Sequence, residues 1–352
     1  MMVLNFILIL LSSYLWPMRP FNTAHGVSAT LGDGRGTATA SRFHRGIDIP
    51  ADYGTNVFSL ISGTAKRIPS GNGIIVGDYW YIHLNNLLGN NTSVTGIVDT
   101  TTSSPTQIGD VMDYGQPGTL NDHLHFQIGP QGGPFKNPLS YNEGPIGFSD
   151  NGNPIVYSVD FWKSGSEGQT ETQVQSPLSD TIDIRAKCKD RGTSGGVNTT
   201  TGIYKLEWLI KNIDTKISYG PYQTLTFDQV QPPNNGNPVL LVYDRHNYSS
   251  SSPFYYWVTN YVNSSHNVED RYWNTKLKSG QDWNGVDADF NSDAKYPDGE
   301  YRVWVLAYDI KGMDMLTNMM KSDIYKINIM NNKLLIKSCK CIVLIVNMRY
   351  ID

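Results

Sequence analysis

Charged residues and cysteines are both scarce in this chain, and each scarcity excludes a class of protein. Only 17% of the 352 residues are charged, and the formal net charge is −4. Without an excess of positive charge there is no general attraction to nucleic acid, which is therefore excluded as a partner. The three cysteines (Cys188, Cys339 and Cys341) are an odd number with no CxxC pair. They predict neither a disulfide framework nor a cysteine-built structural zinc site.

Long apolar runs are also few. Residues 3–11 form one such run, broken only by Asn5. The run is too short to span a bilayer but has the length of a signal-peptide core. We predict an export signal in residues 1–15, and hence a secreted, periplasmic or cell-envelope location; the alternative is a buried N-terminal strand or a frayed terminus. The run 342–346 follows several lysines and is too short for a membrane helix, and residues 331–352 receive no predicted role.

No stretch shows a sustained helical period of apolar residues. Short runs with β character, such as 55–61 and 73–77, are instead broken by Gly, Pro and Asn turns. We predict an all-β chain with an antiparallel β domain at 16–141, a Gly- and Ser-rich linker at 142–176, and a second domain at 177–330. Runs at 181–186, 204–209 and 301–308 predict that the second domain is a β-sandwich of the immunoglobulin or fibronectin kind.

Aromatic residues cluster in the second domain, and two interpretations remain open for them. They could bind a cell-surface glycan or protein, or they could fill the sandwich core, which is the more common use of aromatic side chains. The residues concerned are Tyr255, Tyr256, Trp257, Tyr272 and Trp273.

The first motif with chemical potential places His44 and Asp48 four residues apart. Helices and strands both put residues i and i+4 on one face, so the spacing alone does not distinguish them. The β-branched Ile47 and Ile49 favour a strand. In that strand His44 and Asp48 point to one side, and the two isoleucines point into a core.

Two further predicted strands carry histidines. His123 and His125 share one face of a strand whose other face is apolar. His83 lies in another strand, where alternation places it on the face of Tyr81 and opposite Leu84. Four of the seven histidines therefore lie on the polar faces of three predicted strands.

These side chains match the needs of a hydrolytic zinc site. Such sites take three protein ligands from histidine and carboxylate and keep a fourth position for water, whose pKa the metal lowers towards neutrality. His44, Asp48 and His125 would supply this set. His83 and His123 would remain for proton transfer and charge stabilisation. Each histidine alone is more simply an ordinary surface residue, but three matches in order form a joint pattern.

The same motifs resemble those of the lysostaphin-type peptidoglycan metalloendopeptidases, over about residues 16–139. The resemblance implies a lysostaphin-like β domain of the duplicated-hybrid-motif type, in which His44, Asp48 and His125 bind one zinc ion and His83 and His123 are catalytic. Residues 31–35 stand in the place of the family's Phe-Gly-x-Arg-like segment, and Arg35 is therefore assigned as a substrate contact. Tyr81 is assigned as a second substrate contact. The motifs are His44-x-x-x-Asp48, Tyr81-Ile82-His83-Leu84 and His123-x-His125, with Gly54-Thr55-x-Val57, Gly63-Thr64-Ala65 and Asn137-Pro138-Leu139.

The sequence thus predicts a zinc endopeptidase that hydrolyses peptide bonds in bacterial peptidoglycan, with the second domain as a spacer or binding module. One alternative is a non-catalytic wall-binding protein or an activator of another wall hydrolase, a class that typically loses metal ligands. The other is an adhesin that binds glycan through the sandwich. Deleting residues from about 177 onward is expected to leave a peptidase active and to abolish an adhesin's binding.

Overall fold

The protein is mostly β-strand, and its strands pair antiparallel in several sheets. The structure is a computed structural model that describes residues 13–69, 71–98, 104–113, 122–150, 152–163, 172–191, 200–232, 234–277, 279, 295–310 and 325–329. The predicted all-β class is confirmed at this level. Residues 1–12 of the predicted export signal and the tail 331–352 lie outside the described residues. Among the described residues, no helix is both long enough and apolar enough to cross a membrane.

Residues 13–150 form what we call the first unit. Its strands are short because glycine, proline and asparagine turns interrupt the β-branched runs every few residues. They are β1 (Gly34–Arg35), β2 (Arg42–Phe43), β3 (Ile47–Pro50), β4 (Asn56–Phe58), β5 (Gly63–Arg67), β6 (Gly73–Val76), β7 (Tyr79–Ile82), β8 (Leu84–Asn85), β9 (Thr92–Val94), β10 (Gln107–Val111), β11 (His123–Ile128) and β12 (Phe135–Lys136), followed by a 3₁₀ turn at Tyr141–Glu143.

The largest sheet places the predicted His-x-His strand, β11, near its centre. Strand β7 pairs with one edge of β11 and β3 with the other, and the order continues from β7 through β6 and β5 to β9. Ile47 and Ile49 of β3 pack with Leu124 and Phe126 of β11 in the core, each at most 1% exposed. The predicted apolar faces of both strands are confirmed.

The prediction that His83 shares a face with Tyr81 is wrong, although its ring does lie beside those of His123 and His125. Alternation placed it with Tyr81 and opposite Leu84, but Tyr81 and Leu84 both lie in the core. His83 between them has φ of 67°, in the left-handed region that L-residues seldom adopt, and it ends β7. This local reversal of the backbone turns its side chain away from the core face, and no period-two pattern could have revealed it.

Residues 152–329 form the second unit. Its elements are β13 (Ile155–Lys163), β14 (Thr172–Val174), β15 (Thr181–Arg191), β16 (Thr200–Thr201), β17 (Lys205–Asn212), β18 (Ser218–Thr226), β19 (Gln229–Val230), α1 (Asn237–Val242), a 3₁₀ turn at Arg245–Asn247, β20 (Phe254–Trp257), β21 (Tyr261–Val262), β22 (Val268–Glu269), β23 (Trp273–Asn274), β24 (Gly299–Tyr308) and β25 (Tyr325–Ile329). The three strands predicted for this region appear as β15, β17 and β24.

Two antiparallel sheets of the second unit share one core. The first runs β14-β13-β15-β16, with β20 and β23 also on β15, and the second runs β18-β17-β24-β25. The linker prediction is wrong for residues 155–163, which form β13 and pair with β15, and for residues 172–174, which form β14 and pair with β13. Gly- and Ser-rich flanks on both sides concealed an alternating strand whose partner lies further along the chain.

The two units are joined through paired backbone and a common core. Strand β12 pairs with β19, so the largest sheet includes a strand of the second unit. Leu31 and Phe43 of the first unit belong to the second unit's hydrophobic cluster. The units are therefore not connected by their linker alone.

Most of the aromatic cluster serves the core of the second unit. Tyr256, Trp257 and Trp273 are at most 6% exposed, which confirms the core interpretation for them. Tyr255 and Tyr272 are partly exposed.

Candidate metal centre

The register of β3 against β11 builds the first half of the centre. Asp48 is the direct cross-strand partner of His125. Paired residues of antiparallel strands project from the same face with their Cβ atoms about 5 Å apart. Since the isoleucines of β3 fill the core face, Asp48 and His125 meet on the opposite face of the sheet.

His44 reaches the same place from outside a strand, because β2 ends at Phe43 and β3 begins at Ile47. Between them Gly46 passes so close to β11 that an added Cβ would lie 2.2 Å from the carbonyl oxygen of Phe126. Only glycine fits this approach. The predicted convergence of His44 and Asp48 is confirmed. The prediction that both lie in one strand is wrong for His44, because residues 44–46 are outside the strands.

Three atoms that could each donate a lone pair to a metal ion converge at the centre; we call them the donor atoms. His44 Nε2 lies 3.0 Å from Asp48 Oδ1 and 2.9 Å from His125 Nδ1, and His125 Nδ1 lies 2.9 Å from Asp48 Oδ1. Ligands of a tetrahedral zinc ion, each about 2.0–2.1 Å from the metal, are about 3.3 Å apart. These three residues could therefore hold a metal ion, and they are the one such group in the described part of the chain.

The outer partners of the two histidines leave lone pairs directed at the centre. His44 Nδ1 lies 2.9 Å from the carbonyl oxygen of Thr30, which can only accept, so this nitrogen carries the proton. His125 Nε2 likewise donates to Gln127 Oε1 at 3.1 Å. In the neutral rings the inward nitrogens are then acceptors, facing each other and a carboxylate oxygen. Such a cluster of acceptors repels itself and fits a cation.

Burial and neighbouring groups also shift the pKa values of His44 and Asp48. Burial lowers the pKa of His44, against the opposing influence of Asp48. Burial would raise the pKa of Asp48, but the adjacent His44 and His125 outweigh it and hold this pKa well below its usual value. A neutral imidazole and an ionised carboxylate are the forms that bind metals.

His83 and His123 lie beside these donor atoms. Their ring centroids are 4.8 Å apart, the His83 ring is 5.9 Å from that of His125, and His123 Nε2 is 3.7 Å from Asp48 Oδ1. Burial, together with His123 and His125, lowers the pKa of His83 to about 4. His83 is therefore neutral at neutral pH.

The two residues assigned as substrate contacts have different positions. Arg35 lies at the edge of the centre, with its Nη2 3.4 Å from Asp48 Oδ2. Tyr81 is fully buried, and its hydroxyl accepts a hydrogen bond from the Leu60 amide. A side chain with no exposed surface offers nothing to a substrate, so the assignment of Tyr81 as a substrate contact is wrong. Its alternation with His83 had suggested a common face, which the backbone reversal at His83 removes.

No family model, curated protein or solved structure matches this chain. The geometry of the site brings together the five residues that the sequence predicts as metal ligands or catalytic groups. Sequence reasoning missed Gln127 and Thr30, which are the outer hydrogen-bond partners of His125 and His44. Gln127 was detectable, since it lies two residues after His125 on the same strand face. The Thr30 carbonyl left no trace in the sequence.

Replacing Gln127 with methionine should weaken zinc binding about 10- to 100-fold, the usual cost of losing an outer partner of a ligand. Without this acceptor, His125 can move its proton to Nδ1 and donate to Asp48 instead of binding metal. Gln127→Glu keeps an acceptor at the same place and should bind zinc at least as tightly as the wild type. Titration against a competing chelator measures both, and equal affinities for the Met and Glu variants would contradict the assigned role.

Proposed function

We propose that this protein is a zinc-dependent endopeptidase that hydrolyses peptide bonds in bacterial peptidoglycan. The observation that carries the proposal is the convergence of three acceptor atoms, from His44, Asp48 and His125, within 3.0 Å of one another. A second pair of histidines beside them adds groups for proton transfer. Binding one metal ion with two histidines and one carboxylate, and leaving a coordination position free, is typical of hydrolytic zinc sites.

The residues divide the chemistry between them. When bound, zinc supplies a Lewis acid that acidifies water and polarises the substrate carbonyl. His83, neutral at pH 7, accepts the proton of the attacking water, and the neighbouring His123 stabilises the developing negative charge and helps return the proton to the leaving amine. Arg35 keeps Asp48 Oδ2 occupied, which leaves Oδ1 to face the centre.

The substrate and the location rest on the resemblance to lysostaphin-type enzymes. Peptidoglycan peptides as substrate, export to the envelope or beyond, a lysostaphin-like first unit and an immunoglobulin- or fibronectin-like second unit all stay predictions. A non-catalytic wall-binding protein or hydrolase activator would have no need of all five residues in one cluster. An adhesin function would rest on the partly exposed Tyr255 and Tyr272 of the second unit.

Metal removal provides the direct test. The purified full-length protein should contain about one zinc ion per chain and should clear purified peptidoglycan. Treatment with a strong chelator should abolish clearing, and added zinc should restore it, because the three ligand atoms reform the site. Walls with glycine-rich bridges and walls with direct crosslinks should be assayed in parallel. Zinc binding without hydrolysis of either wall would favour the non-catalytic alternative, and absence of zinc would refute the site.

A further inference from the structure

A short segment at residues 30–33 holds His44 from three directions. The Thr30 carbonyl accepts the proton of His44 Nδ1 at 2.9 Å. The backbone of His44 pairs with the same segment: its amide donates to Asp33 O at 2.8 Å, and its carbonyl accepts from the Gly32 amide at 2.8 Å. The orientation of this ligand ring therefore depends on the position of residues 30–33.

Asp33 fixes the shape of that segment. Its carboxylate accepts hydrogen bonds from the Thr30 amide at 3.0 Å and the Thr30 hydroxyl at 3.1 Å, and it is 3% exposed. A third donor, the Gly202 amide, comes from the second unit and lies 2.9 Å from Asp33 Oδ1. Charge-assisted hydrogen bonds of this kind are strong when buried.

Tyr243 of the second unit holds the same segment from another side. Its hydroxyl donates to the Gly32 carbonyl at 2.7 Å, and its side chain is almost fully buried. Beneath Gly32 lies the ring of Phe227, so close that an added Cβ would sit 2.3 Å from it, and Gly32 has φ of +91°. Residues of the second unit thus contact the segment through a hydroxyl, an amide and an aromatic ring.

We propose that the second unit is a working part of the metal centre, in which Tyr243 and the Gly202 amide fix residues 30–33 and thereby orient His44. Tyr243 and Asp33 are positioning residues, since neither reaches the donor atoms. This inference rests on the proposed metal site but not on the identity of the substrate. It also changes the meaning of a truncation at residue 177, which would remove Tyr243 and Gly202 and so damage a peptidase and an adhesin alike.

Two full-length variants test the inference against a matched control. Tyr243→Phe removes the hydroxyl that donates to Gly32, and Asp33→Asn weakens the turn that presents the Thr30 carbonyl. The control is Tyr301→Phe. Tyr301 is also a fully buried tyrosine of the second unit, and the substitution removes a hydroxyl that donates to the Pro297 carbonyl at 2.6 Å. For each protein we would measure zinc affinity by chelator competition, the visible spectrum of the cobalt(II) form, and the melting temperature without metal.

Tyr243→Phe should bind zinc about 3- to 10-fold more weakly than the control, because one buried hydrogen bond has been lost, and its cobalt(II) spectrum should change. Asp33→Asn should lose about 10- to 100-fold. If Asp33→Asn does not fold, Tyr243→Phe decides. Zinc affinity and cobalt(II) spectrum equal to those of Tyr301→Phe would overturn the inference and leave the proposed function standing. A wild type that binds no metal would overturn both.

Discussion

Replacing His125 with alanine should remove the zinc and abolish peptidoglycan hydrolysis. Structural zinc sites with four ligands have apparent binding free energies of about 10–16 kcal/mol, so one ligand accounts for on the order of 3 kcal/mol, or about 100-fold in affinity. His125 is the central member of the set, since it is the cross-strand partner of Asp48 and its Nδ1 lies 2.9 Å from both other donor atoms. Its removal leaves two ligands that lie four residues apart in one segment.

The measurement combines metal analysis after dialysis with a turbidity assay on purified walls. His266→Asn is the control, because His266 also faces a carboxylate, Asp228 at 3.3 Å, but lies outside the cluster, and asparagine tolerates its φ of 60°. The control should keep its zinc and its activity. Far-ultraviolet circular dichroism of both variants checks that the strands remain. Full zinc content in His125→Ala would disprove its place among the ligands.

Variants of His83 and His123 should separate catalysis from metal binding. A positioned general acid or base contributes about 10²- to 10⁴-fold to rate, so each loss should lower hydrolysis by that range while zinc content stays near one per chain. For His83 the suitable change is asparagine, because the residue has φ of 67° and asparagine tolerates the left-handed region better than alanine does. His123 lies within β11 and can be changed to alanine.

The comparison of His83→Asn with His83→Ala is itself informative. Both lack the imidazole, but alanine adds backbone strain, so only the alanine variant should lose additional thermal stability. Equal loss of hydrolysis in the two variants would assign the effect to the ring. If either the His83→Asn or the His123→Ala variant retained wild-type rates, that histidine would have no part in proton transfer. Loss of zinc in either would instead place that residue among the ligands.

The sequence predicted the centre well where side-chain alternation governs it. Leu124 and Phe126 mark the core face of β11, which fixes the opposite face for His123 and His125. Period-two reasoning failed at His83, where a single left-handed residue reverses the pattern. It therefore failed at Tyr81 as well, which lies in the core with its hydroxyl on a backbone amide.

Contacts between distant parts of the chain were beyond the sequence altogether. Nothing local to residues 155–163 shows that they pair with β15, because the turn-forming residues around them are what a linker also contains. The pairing of β12 with β19 and the bond from Tyr243 to Gly32 depend on the register of sheets far apart in sequence. Local propensity and periodicity carry no information about such registers.

The bond from Tyr243 to Gly32 joins residues 211 positions apart, and this separation has a consequence for the order of events during synthesis. All three proposed metal ligands have been translated once residue 125 is made, but Tyr243, which we propose positions His44, follows about 120 residues later. At about 5–20 residues per second, translation of that interval takes roughly 6 to 24 seconds. We therefore expect the chain to reach its full affinity for metal late in synthesis, well after the three proposed ligands have been made.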